Sequence, residues 1–217
     1  MLARLQRLWV FVLVLLAAAS AAWALSSGAS WWMALVVALA TLHVHAAVLA
    51  VEFMALAKID PGERIPRPGA RALIHAWWGE VWTGFRVFCW RQPFRAQAIP
   101  DFPPTSPAPA RRPVLLVHGF VCNRGLWNPW MQQLSAAGVP FVAVNLEPVF
   151  GSIDAYVPTI EAAMRQLELP SSHKPLVVAH SMGGLAVRAW LCERGSEARV
   201  HGVVTIGSPH AGTALAR

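Results

Sequence analysis

The chain has 217 residues, enough for one or two domains, of which 56% are hydrophobic and only 13% charged, with eleven tryptophans against one tyrosine. That balance points to membrane contact. The net charge of +7 could suit nucleic acid, but half of the 18 Lys and Arg residues fall between Lys58 and Arg112, beside apolar segments; this favours an anionic membrane face, and no nucleic-acid partner is expected.

Met1 to Arg7 opens the chain with positive charge, and Leu8 to Leu25 follows without a charged residue. Two readings compete for this run: a secretory signal peptide ending near Ala22-Trp23-Ala24, or a membrane-spanning helix. After the polar break Ser26–Ser30, Trp31 to Val51 is a second apolar run of spanning length, interrupted by His43 and His45. These histidines lie two residues apart, on different helix faces, which speaks against a metal site. A helical hairpin over residues 1–57 is expected. Arg4 and Arg7 flank one end, Lys58, Arg64, Arg67 and Arg71 the other, and the connecting loop carries no charge. The positive-inside rule then places both ends in the cytoplasm, at the inner membrane.

Residues 58–112 form the next segment. Asp60–Pro68 is a proline-rich break. Ala70–Trp90 mixes Trp77, Trp78, Trp82, Phe85, Phe88 and Trp90 with His75, Glu80 and Arg86. It fits either an amphipathic helix lying in the membrane interface or a helix packed on the following domain. Six prolines between Pro100 and Pro113 mark a linker and a domain boundary. Cys89, Cys122 and Cys192 are widely spaced and give neither a disulfide framework nor a metal pattern. No metal or other cofactor is expected.

Residues 113–217 alternate between strand and helix signals. Val114–Val117 is a buried strand ending in His118-Gly119-Phe120. Leu126–Ala137 reads as a helix stopped by Gly138, Phe141–Leu146 as a strand, and Ser152 or Asp154 caps a helix to about Leu167. Leu176–His180 is the next strand and turns at once into a helix, with Ser181 at the junction. Ala179 lies two residues before Ser181 and Gly183 two after. This is the form of a nucleophile elbow: the apex residue is strained, and the flanking positions face each other too closely for large side chains. Val200–Ile206 is the last strand. Such a succession builds a mostly parallel sheet with helices on both faces, and ligands bind at the carboxyl ends of its strands. His118-Gly119-Phe120, Ser181 and Ser208-Pro209-His210 all fall at those ends.

The His118-Gly119-Phe120 strand end, the elbow Ala179-His180-Ser181-Met182-Gly183 and the segment Gly207-Ser208-Pro209-His210-Ala211-Gly212-Thr213 together resemble the α/β-hydrolase superfamily, within it the serine lipases and esterases. The resemblance runs from Pro113 to Arg217. Ala179 departs from the glycine most members carry, in a way similar to some small bacterial lipases. The resemblance implies that Ser181 is the nucleophile and that the backbone amides of Phe120 and Met182 form the oxyanion hole. It implies an acyl-ester or lipid substrate, with the membrane as partner.

In this fold an acid and then a histidine follow the serine. After Ser181 the acids are Glu193 and Glu197, and the histidines His201 and His210. None suits the role: Glu193 belongs to the elbow helix, His201 lies at the wrong end of a strand, and His210 belongs to a motif in which the family's histidine is not the base. The resemblance implies further strands beyond residue 217. The expected architecture is therefore an incomplete α/β-hydrolase domain preceded by two transmembrane helices. The expected function is a membrane-anchored serine hydrolase with its hydrolase domain on the cytoplasmic side. An acyltransferase of the same fold and an inactive hydrolase-like membrane protein are the alternatives.

Overall fold

The computed structural model describes residues 1–58, 68–106, 109–168, 173–194 and 199–212. The chain divides into two compact units, Leu5–Trp90 and Arg91–Arg217 with Met1–Arg4.

The first unit is helical: α1 (Leu2–Ser26), α2 (Trp31–Leu42), α3 (Val44–Leu56) and α4 (Ala70–Arg86). Among the described residues, α1 alone is a single helix long and apolar enough to cross a membrane; α2 and α3 together make a second such length, but bent by 55°. The apolar run expected to be one helix is thus broken at His43. The cause is local. His43 leaves helical geometry at φ −105° and ψ 17°. Its backbone N–H reaches Leu39 O, and its ring Nδ1 lies 2.9 Å from that same carbonyl oxygen. The Ser20 and Thr41 hydroxyls, 3.1 Å apart, join α1 to α2. The Trp77 indole N–H donates to Ala46 O at 2.9 Å, which seats α4 on α3. Trp78, Trp82, Phe88 and Trp90 are left exposed.

The second unit starts with the short helix α5 (Gln92–Arg95) and continues as a four-stranded parallel sheet: β1 (Val114–Val117), β2 (Phe141–Ala143), β3 (Leu176–His180) and β4 (Gly202–Ile206), in spatial order β2-β1-β3-β4. Its helices are α6 (Asn128–Ala136), α7 (Val157–Glu168) and α8 (Met182–Arg194). Alternation along β1 sorts the core into two layers. Leu115 and Val117 join Val177, Ala179, Ile160, Met164 and Trp190 on one face. Val114 and Leu116 join Trp127, Met131 and Phe141 on the other. Each Val, Leu, Ile, Met or Phe among them is worth roughly 1.5–3 kcal/mol when fully buried. Gly138 ends α6 at φ +63°, in the role read for it from the sequence.

The proline-rich stretch does not separate the units. The change of unit falls at Arg91, and the residues after it pack on the sheet. Phe102 and Phe141 exchange backbone hydrogen bonds of 2.9 and 2.7 Å as an antiparallel bridge on the β2 edge. The Asp101 carboxylate accepts from the Ala143 amide at 2.9 Å and from the buried Arg124 guanidinium at 2.6 Å. A Pro-rich segment suits this place because an edge needs only a few of its N–H groups. At the opposite edge, β4 leaves Val203, Val204 and Ile206 exposed.

Behind the sheet, Glu161 of α7 is buried and accepts three charged or polar donors. They are the Trp190 indole N–H at 2.9 Å, Arg165 Nε at 2.9 Å and Arg199 Nη1 at 2.8 Å. The Arg199 guanidinium above all, with Trp190 and Arg165, holds this carboxyl down at about 2. The cluster ties α7 to α8 and to the approach to β4.

Candidate active site

Ser181 sits between the last residue of β3 and the first of α8, and its backbone is left-handed at φ +52°. That region is uncommon for a residue with a Cβ and costs of order 1–3 kcal/mol. The surroundings hold it there. Its amide donates to Ile206 O at 2.8 Å, and its carbonyl accepts from the Gly184 amide at 3.0 Å.

Glycine is needed on the neighbouring segments for a reason of contact. A Cβ on Gly119 would stand 2.8 Å from the Ser181 Cβ. A Cβ on Gly183 would run into the His118 and Val117 carbonyl oxygens, and one on Gly184 into the Ser208 side chain. The start of α8 presses on the backbone of β1, while Ala179 is buried within the sheet core.

Gly119 against Ser181 brings the end of β1 to the elbow, so Phe120 and Met182 each directly follow one of two touching residues. Neither of their amides has a hydrogen-bond acceptor among the described residues. Val121, next after Phe120, is also left-handed at φ +52°, and this turns the chain sharply beside the site.

His118 has a structural task that sequence reasoning missed. It is fully buried, its Nε2 accepts from the Leu146 amide at 3.0 Å, and its Nδ1 lies 2.8 Å from Gly119 O. Accepting at Nε2 leaves the proton on Nδ1, which donates to that carbonyl. Burial pushes the imidazole down to about 4, so it is neutral at pH 7. One ring thereby braces the loop after β1 and the loop after β2. The only sequence signal was a histidine at a strand end.

The later candidates are not gathered on Ser181. His210 Nε2 lies 3.3 Å from Thr205 Oγ1, and its carbonyl accepts from Arg188 at 3.3 Å. The His201 amide donates to Pro175 O, at the amino end of the sheet. Glu193 pairs with Arg194 at 3.4 Å, and Glu197 lies outside the described residues. No described histidine is hydrogen-bonded to the Ser181 hydroxyl. Among the described residues, no group of three or more His, Cys, Asp or Glu side chains is placed to hold a metal ion. Cys122 is buried beside Asn123, and burial pushes its thiol up, away from the reactive thiolate.

Residues 112–217 match the family model of the alpha/beta hydrolase fold. This part of the chain has that fold, with a parallel sheet. A solved lipase from Bacillus licheniformis, BlEst2 in mature form, is 26% identical over 52% of this chain and 47% of its own, with a TM-score of 0.45. The chain thus spans about half the length of that lipase. No curated protein matches the chain.

Proposed function

We propose that the chain is a membrane-anchored serine hydrolase acting on carboxylic esters, lipids among them, through an acyl-enzyme. The observation that carries this reading is Ser181 at φ +52° on a strand-to-helix tip, with Gly119 against its Cβ. A strained polar residue at the carboxyl end of a parallel sheet is a feature of function rather than of packing.

In the proposed reaction the Ser181 Oγ attacks the ester carbonyl carbon and gives up its proton to a base. The carbonyl oxygen becomes an oxyanion held by the Phe120 and Met182 amides, aided by the N-terminus of α8. Collapse of the tetrahedral intermediate breaks the C–O bond, and the alcohol leaves with a proton. Water then attacks the acyl-enzyme by the same path in reverse and frees the acid. His118 does not serve as the base. Its Nε2 is occupied by the Leu146 amide, and its Nδ1 faces Gly119 O.

For the membrane unit, the reading is a helical hairpin made by α1 and the bent α2–α3 pair. Both ends lie in the cytoplasm, and the sheet unit is on that side of the inner membrane. The charge distribution on either side of residues 8–57 supports this.

The test is turnover of a short-chain activated ester by a protein that carries this chain together with a triad acid and histidine, and by its Ser181→Ala variant. The variant is expected to lose at least about a thousandfold in kcat. Turnover that survives the substitution contradicts the assignment.

A further inference from the structure

Phe120 and Phe150 form an edge-to-face pair with ring centroids 5.8 Å apart and planes at 71°. Both rings are largely open to solvent, Phe120 at 49% and Phe150 at 73% of their surface. An edge-to-face pair of phenylalanine rings facing water is an apolar surface without a cover. Phe120 follows the glycine that touches Ser181. Phe150 belongs to the loop after β2, and two fully buried side chains secure that loop. His118 accepts from the Leu146 amide at 3.0 Å, and the Tyr156 hydroxyl donates to Pro148 O at 2.8 Å.

The strand order makes the site lopsided. From β2 to β4, the carboxyl ends carry Phe150, then Phe120, then Ser181, then Thr205 and His210. The β2 side of the nucleophile is apolar and aromatic. The β4 side carries the polar groups, the Thr205–His210 hydrogen bond and the Arg188 guanidinium, beside the partly exposed aliphatic Ile206, and has no aromatic ring. An ester has the same asymmetry during reaction. Its leaving alcohol must receive a proton and suits the polar flank, whereas its acyl chain gains from apolar contact.

Resting on the reading of Ser181 as nucleophile, we propose that the Phe120–Phe150 pair is the wall along which the acyl chain lies, and that Phe150 sets a preference for longer acyl chains. Phe150 is a specificity-determining residue that reads the chain beyond the carbonyl carbon.

The test uses the full chain in lipid nanodiscs and the variant Phe150→Ala, checked for an unchanged thermal midpoint. In a Ser181→Ala background, binding of N-methyl octanamide and N-methyl acetamide is measured by ligand-observed NMR; partition into lipid is common to both variants and cancels. Phe150→Ala is expected to weaken octanamide about tenfold and to leave acetamide within about twofold. With Ser181 intact, the labelling rate by an octylphosphonate relative to a methylphosphonate is expected to fall by a similar factor. Equal loss for both chain lengths, or no loss, overturns the wall. Phosphonate labelling of Ser181 without a chain-length effect overturns the wall and leaves the nucleophile standing. A chain-length effect on amide binding without labelling supports the wall and counts against the nucleophile.

Discussion

A Cβ added to Gly119 would meet the Ser181 Cβ at 2.8 Å, and the His180 Nδ1 and carbonyl oxygen at 3.1 Å. The loop that presents the Phe120 amide and the residue proposed as nucleophile are therefore in contact through a position that only glycine fills without movement. Gly119→Ala must push the loop away from the elbow. It is expected to cost about 1–3 kcal/mol of stability, as overpacking does, and at least about a hundredfold in ester turnover, the scale of losing one oxyanion donor. Denaturant unfolding and steady-state kinetics on the same preparation measure both. A fully active Gly119→Ala would mean that the Phe120 amide does not serve the reaction.

His118 gives the site a pH dependence of stability. Its folded value is lowered to about 4 from an ordinary 6.5, so the unfolded chain takes up a proton first as pH falls. The sheet unit is expected to be fully braced above pH 6.5 and to lose about 3 kcal/mol between pH 6.5 and about 4, at roughly 1.4 kcal/mol per unit. His118→Gln removes this titration. Unfolding followed across that window should show the slope in the parent and not in the variant.

The ion cluster behind the sheet responds at lower pH and with the opposite chemistry. Glu161 is held down at about 2, chiefly by Arg199, so its contribution is present above the ordinary carboxylate range and is lost as pH falls through the folded value. Glu161→Ala leaves the buried Trp190 indole N–H without its acceptor, while Arg199 keeps the Glu168 carboxylate at 2.6 Å, and is expected to destabilise the unit by about 1–2 kcal/mol. Thermal unfolding at neutral pH checks this. A change below about 0.5 kcal/mol would place the cluster with ordinary surface pairs.

Reporter fusions after Ser27 and after Arg112 are expected to give opposite signals. A periplasm-active reporter at Arg112 contradicts the proposed topology and favours an exported sheet unit.

Much of the sheet unit was legible because short-range rules govern it. The apolar runs at Val114 and Leu176 give β1 and β3, Gly138 ends α6, and the small residues around Ser181 mark the elbow. What escaped depends on residues far apart in sequence. Gly183 has the carbonyl oxygens of Val117 and His118 against it, which no local rule announces. His118 finds its partner at Leu146. Asp101 and Phe102 stand among prolines that predict a linker, and their pairing with β2 has no local signature. The break at His43 was visible only as a histidine in an apolar run, because a polar residue there is compatible with a straight helix as well as a bent one.

The most direct test is covalent. The chain is treated with a fluorophosphonate and digested, and the adduct is located by mass spectrometry. The account predicts one modified residue, Ser181, and no modification in Ser181→Ala. An adduct on another residue, or undiminished labelling of Ser181→Ala, would contradict it.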